Sequence, residues 1–133
     1  MKAHANAWRS SFTQRQAAGI YLQENYPPDT LVALNPAGII PYYSQLPTID
    51  MLGLNDTYIA HHGKRDRSLR YGHQAGDGEY VLSREPDVIL FQAGSSEPRN
   101  YISDQEIWNS QEFWDNYDLQ EWANAGYAYV RSE

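Results

Sequence analysis

Leu31–Asp56, LVALNPAGIIPYYSQLPTIDMLGLND, is the stretch whose reading decides the fold. It holds two short apolar runs, one closed by Asn35 and the other by Asp50, and each leads through a turn into a helix-compatible segment. Strand, turn and helix in succession are the grammar of an α/β protein. Open α/β sheets bind ligands outside the carboxyl ends of their strands, which is where Asn35 and Asp50 fall. A third apolar run, DVILFQ, puts Gln92 in the same position. Asn and Asp also cap their own turns, so this pattern locates a cleft without naming its ligand.

The flanking sequence extends the pattern. Ala7–Asn25 reads as a helix in which Trp8, Phe12, Gly19 or Ile20, and Leu22 recur at three- and four-residue intervals, with Arg9, Gln14, Arg15 and Gln23 left for water. Pro27 and Pro28 stop it. Strands are expected at Leu31–Leu34, Thr48–Met51 and Asp87–Gln92, and helices at Ala37–Gln45, Thr57–His61 (capped by Asn55 or Asp56) and Glu79–Arg84. His62–Gly78 is rich in glycine and charge, without periodicity, and reads as a long loop. Ser103 and Glu106 form a capping box for a helix over Asp104–Phe113. An acidic helical continuation follows, with Trp108, Trp114 and Trp122 packed and Asp104, Glu106, Glu112, Asp115, Asp118 and Glu121 wet. Tyr127–Val130 is expected as a closing strand, antiparallel at an edge.

Composition narrows the function classes. Seventeen acidic and ten basic residues give a net charge of −7, the wrong sign for a surface that meets nucleic-acid phosphates. Eleven tyrosines and four tryptophans argue for a packed domain. With no cysteine, disulfides, thiolate metal sites and cysteine nucleophiles are excluded. The longest apolar runs are far short of the roughly 20 residues that span a bilayer. There is no GxGxxG, no Walker A loop and no GxSxG elbow. Ser44, His73 and Asp50 are the types of a hydrolytic triad, but any chain this long permits such a choice. His61 and His62 are adjacent and do not share a helix face, which is poor metal geometry. No metal and no cofactor is therefore expected. Tyr42 and Tyr43 divide between core packing and a stacking platform for a sugar. Lys64, Arg65, Arg67 and Arg70 cluster within seven positions, as a solvated loop or as a contact for lipid phosphate.

Gly38, Pro41, Tyr42, Tyr43, Ser44, Asp50, Gly53, Leu54, Asn55 and Asp56 together spell a glycine turn running into Pro-Tyr-Tyr-Ser, an aspartate, then Gly-Leu-Asn-Asp. This resembles the extracytoplasmic C-terminal domain of multi-spanning, GT-C-like, lipid-linked-sugar-dependent glycosyltransferases of the mannosyl- and arabinofuranosyltransferase type. The resemblance runs over about Ala7–Phe91, includes a Gly72-His73 pair, and extends through Tyr80–Asp87. It implies one soluble domain over residues 1–133, a small, mostly parallel sheet of about four short strands flanked by helices, Rossmann-like without a dinucleotide fingerprint. Together with the strand-end reading it gives as ligand-binding candidates Asn35, Gly38, Tyr42, Tyr43, Ser44, Asp50, Gly53, Asn55, Asp56 and His73, and the basic cluster Lys64, Arg65, Arg67 and Arg70 is the candidate for membrane or phosphate contact. The resemblance also implies that Met1 is not the natural start. The partner would be a transmembrane catalytic domain of the same polypeptide on the periplasmic side. The domain itself would position a glycan acceptor or polyprenyl-phosphate sugar donor without catalysing transfer. A free-standing cytoplasmic small-molecule-binding domain or enzyme, with its cleft at Asn35 and Asp50, is the other reading of the same residues.

Overall fold

The computed structural model describes the backbone of residues 2–132 other than 36, 37 and 55, with side chains from Ser11 onward. Helix α1 (Lys2–Asn25) leads to strand β1 (Val32–Leu34), helix α2 (Ile39–Ser44), strand β2 (Thr48–Asp50) and helix α3 (Thr57–His62). Asp56 caps α3 by accepting the Ile59 N–H at 3.0 Å. A two-stranded hairpin, β3 (Lys64–Arg65) and β4 (Ala75–Gly76), stands where a structureless loop was expected. Helix α4 (Gly78–Ser83), capped by Asp77, leads to strand β5 (Val88–Leu90). Helices α5 (Ile102–Trp108) and α6 (Gln111–Asn116) and strands β6 (Tyr117–Trp122) and β7 (Gly126–Arg131) complete the chain.

The main sheet has five strands in the order β2-β1-β5-β7-β6. β1 pairs in parallel with both β2 and β5, whereas β7 runs antiparallel to β5 and to β6. The sheet is thus mixed, and the expectation of a mostly parallel one is corrected. The cause lies after Asn116, where the expected acidic helix becomes the strand β6 and returns through a tight turn as β7. The expected edge strand over Tyr127–Val130 is an interior one, and β6 is the edge.

Side-chain alternation sorts the core onto two faces, as the two-residue period of a strand requires. Val32, Leu34, Val88 and Leu90 join Ala18 and Leu22 of α1 and Ile40 of α2 on one face. Ala33, Ile49, Ile89 and Phe91 join Ile59, Val81, Ile107 and Phe113 from α3 to α6 on the other. Helices cover both faces, so β1 and β5 are apolar throughout, as strands buried on both sides are.

The tryptophans do not share a face. Trp108 and Trp114 gather with Phe91, Phe113 and Tyr129, whereas Trp122 is buried on the α1 side. The expected helix over Asp104–Phe113 breaks at Asn109–Ser110, and the Trp114 indole N–H donates back to the Trp108 carbonyl at 2.7 Å, satisfying one of the free acceptors at the end of α5. Ser103 is not a cap. Its hydroxyl donates to Met51 O and accepts from the Asp77 N–H, which docks α5 beside the end of β2.

α1 crosses α2 at Gly19, where a Cβ would stand 2.7 Å from the Tyr43 Cβ and 3.1 Å from the Ile40 carbonyl oxygen. Gly19→Ala must push the helices apart and is expected to cost about 1–3 kcal/mol, as overpacking does. A urea midpoint equal to that of the native protein would refute this close approach.

Candidate functional site

The carboxyl ends of β1 and β5 open onto a pocket of about 90 Å³. Asn35, directly after β1, and Phe91, Gln92 and Ala93, directly after β5, form part of its lining. Ser11 and Arg15 contribute from α1, one turn apart and so on the same helix face. Leu52, His73, Arg99 and Tyr101 complete it from the loops after β2, within the β3–β4 hairpin and before α5. The loop after β5 can pass this close to α1 because Gly94 (φ +82°) has no side chain: a Cβ there would meet the Gln14 amide at 2.7 Å.

Asn35 is the buried centre of the arrangement. Its Nδ2 donates to the Phe91 carbonyl at 3.0 Å and to Asp104 Oδ1 at 2.6 Å. Turning the amide over would set its oxygen against both of those acceptors, so the orientation is fixed. Its Oδ1 is buried and has no hydrogen-bond partner among the described residues. Asp104, expected on a wet helix face, is instead fully buried. Burial pushes its carboxyl up to about 6, against the opposing pull of the Asn35 amide, the Arg99 backbone N–H at 2.7 Å and the Arg99 charge. Asp104 Oδ2 and Gln105 Nε2 hold the Arg99 backbone from both sides. The His73 ring stacks on Tyr101, with centroids 5.1 Å apart.

Of the residues singled out in the sequence, Asn35, His73 and Gln92 meet here. The others do not line this pocket. Asp50 is buried and its Oδ1 accepts the Leu52 N–H at 3.0 Å, the turn-capping alternative. Ser44 is buried and its Oγ accepts the Leu46 N–H, so the Ser44–His73–Asp50 set is not assembled around the pocket. Gly53 turns the chain after β2 with φ +78°, and Asp56 caps α3. Asn55 lies outside the described residues.

Gly38, Tyr42 and Tyr43 line a separate, mostly apolar depression with Phe12 and Ile39. Tyr42 is exposed and Tyr43 half-buried, and their rings meet edge-on at 5.1 Å. In the basic cluster, Lys64 pairs with Glu106 and Arg65 donates to the Ala60 carbonyl, while Arg67 and Arg70 are exposed between β3 and β4. Among the described residues no group of three or more His, Cys, Asp or Glu is placed to hold a metal ion, and no helix is long and apolar enough to cross a membrane.

Sequence reading missed Ser11, Arg15, Arg99, Tyr101 and the buried Asp104. Arg15 was assigned to water, and only its spacing from Ser11 on α1 hinted otherwise. Arg99 and Tyr101 sit in a segment with no periodicity.

The fold and pocket define an α/β domain with a polar, cation-lined cleft at the ends of parallel strands. A family model matches residues 5–131, and the chain belongs to that family, described as Domain of unknown function (DUF8728). No curated protein and no solved structure matches it.

Proposed function

We propose that this is a non-catalytic, ligand-positioning domain on the periplasmic or extracytoplasmic face of a membrane glycosyltransferase of the lipid-linked-sugar type. In this role its pocket holds a glycan acceptor or a polyprenyl-phosphate sugar donor for a transmembrane catalytic domain of the same polypeptide. The observation that carries the reading is the meeting of Asn35, Gln92 and His73 in one polar pocket at the carboxyl edge of β1 and β5. The parallel trio β2-β1-β5 with helices on both faces supports a Rossmann-like reading of that half. The exposed Arg67 and Arg70 lie on the hairpin that also supplies His73, so a lipid-phosphate contact there would bring the pocket towards the bilayer.

A second reading of the same polar pocket is a free-standing cytoplasmic binding domain or enzyme. Fractionated cells probed with an antibody against the domain separate the two. A band several times 15.3 kDa in the membrane fraction is expected. A soluble band near 15.3 kDa would end the glycosyltransferase reading and favour the second.

A further inference from the structure

We infer that the Asn35 pocket selects a small hydroxylated anion: a phosphate or carboxylate carrying a hydroxyl or N–H donor a few atoms away. This rests on reading the pocket as a ligand site and names the ligand's chemistry. Two independent observations carry it. The first is charge. The chain carries a net −7, yet no Asp or Glu is among the residues lining this pocket, whereas Arg15, Arg99 and His73 are. Behind the wall lies one carboxylate, Asp104, and two arginines outweigh it. An acidic protein that gathers cations around one concavity attracts anions there.

The second observation is the orphaned acceptor. Both hydrogens of the Asn35 amide are committed, to Phe91 O and Asp104 Oδ1, which leaves Oδ1 as an enclosed acceptor with no partner among the described residues. A fully deprotonated anion such as sulfate has no donor for that acceptor, and a buried unsatisfied oxygen is costly. A ligand hydroxyl or N–H would complete it, by seating on the Asn35 side while the negative group faces the arginines. The volume of about 90 Å³ admits a head group of a few heavy atoms and excludes a whole oligosaccharide. Charge and donor must therefore belong to one small group.

NMR titration of the isotope-labelled 133-residue chain tests this with three probes: sulfate, glycerol and glycerol 3-phosphate. Glycerol 3-phosphate is expected to shift the amides of Asn35, His73 and Gln92, and to bind at least about tenfold tighter than either other probe. Arg15→Gln, on a half-buried helix position that leaves the Asn35–Asp104 pair intact, should remove about tenfold of that affinity. Sulfate binding equally well would overturn the donor half of the inference. Glycerol binding equally well would overturn the charge half, while leaving a neutral-glycan site standing. No shift with any probe would remove the pocket as a ligand site, and with it the support for the proposed function. Vesicles of phosphatidylglycerol against phosphatidylcholine then identify the source. Competition by the former alone means a lipid head group, and its absence means a free anion.

Discussion

Trp122→Ala is expected to lower the unfolding free energy by about 3–5 kcal/mol, as truncation of a fully buried aromatic does. Trp122 is 1% exposed at the end of the edge strand β6. Its ring stacks on Tyr21 of α1, with centroids 4.6 Å apart and an interplanar angle of 16°. It belongs to one buried cluster with Leu22, Leu34, Leu90, Ala125 and Ala128. The indole therefore fastens the antiparallel half of the sheet to the long first helix. Domains of ordinary size hold about 5–15 kcal/mol in total, so the variant should sit close to its folding threshold. Urea and thermal unfolding measure the loss. Trp122→Phe should recover more than half of it, because the packing area largely survives. Leu119→Ala on the same strand, at a 51% exposed position, should cost no more than about 0.5 kcal/mol. A Trp122→Ala loss as small as the Leu119→Ala one would mean that the indole does not anchor α1.

The second large effect is a pH dependence from Asp104. Its ordinary carboxyl value of 3.8 rises to about 6 in the folded protein because burial penalises the charge. Between those two values the folded state holds the proton and the unfolded chain releases it, so the contribution of Asp104 to stability falls as pH rises. The benefit is fully present below about 3.8 and gone above about 6. Two pH units correspond to about 3 kcal/mol. Asp104→Asn, which does not titrate, supplies the reference. The stability of the native protein relative to that variant should drop by about 3 kcal/mol between pH 3 and pH 7, and taking the difference cancels the other carboxylates. A difference that stays flat, or rises with pH, would mean that the amide of Asn35, the Arg99 N–H and the Arg99 charge outweigh desolvation.

The parallel part of the fold was legible because its signals are local. The strands of Leu31–Leu34, Thr48–Met51 and Asp87–Gln92 are short apolar runs closed by polar residues, and all three recur within two residues of their expected bounds. The misreading began after Trp108. Trp108, Trp114 and Trp122 read as the packed side of a helix whose acids face water. In β6 only Tyr117 and Trp122, at its two ends, are buried, and the four residues between them are exposed. Without alternation an edge strand carries no period for the sequence to display. The pocket followed the same logic. Asn35 and Gln92 were legible as strand ends, whereas Arg15, Arg99 and Asp104 reach the pocket only through tertiary packing. Asp104 looked like one acid among six, and nothing local distinguishes the one that the fold buries.

The placement of β7 has a consequence in time. It fills the sheet between β5 and β6, although the ribosome makes it after every other strand. At typical elongation rates, the residues from Leu90 to Arg131 take roughly 2–8 s to synthesise. During that interval β1, β2 and β5 can already pair, while Val88–Leu90 presents an open, wholly apolar edge. A nascent chain halted anywhere before Gly126 keeps that edge bare. Such a chain is therefore exposed to strand-to-strand aggregation and in need of a chaperone until its last hairpin arrives.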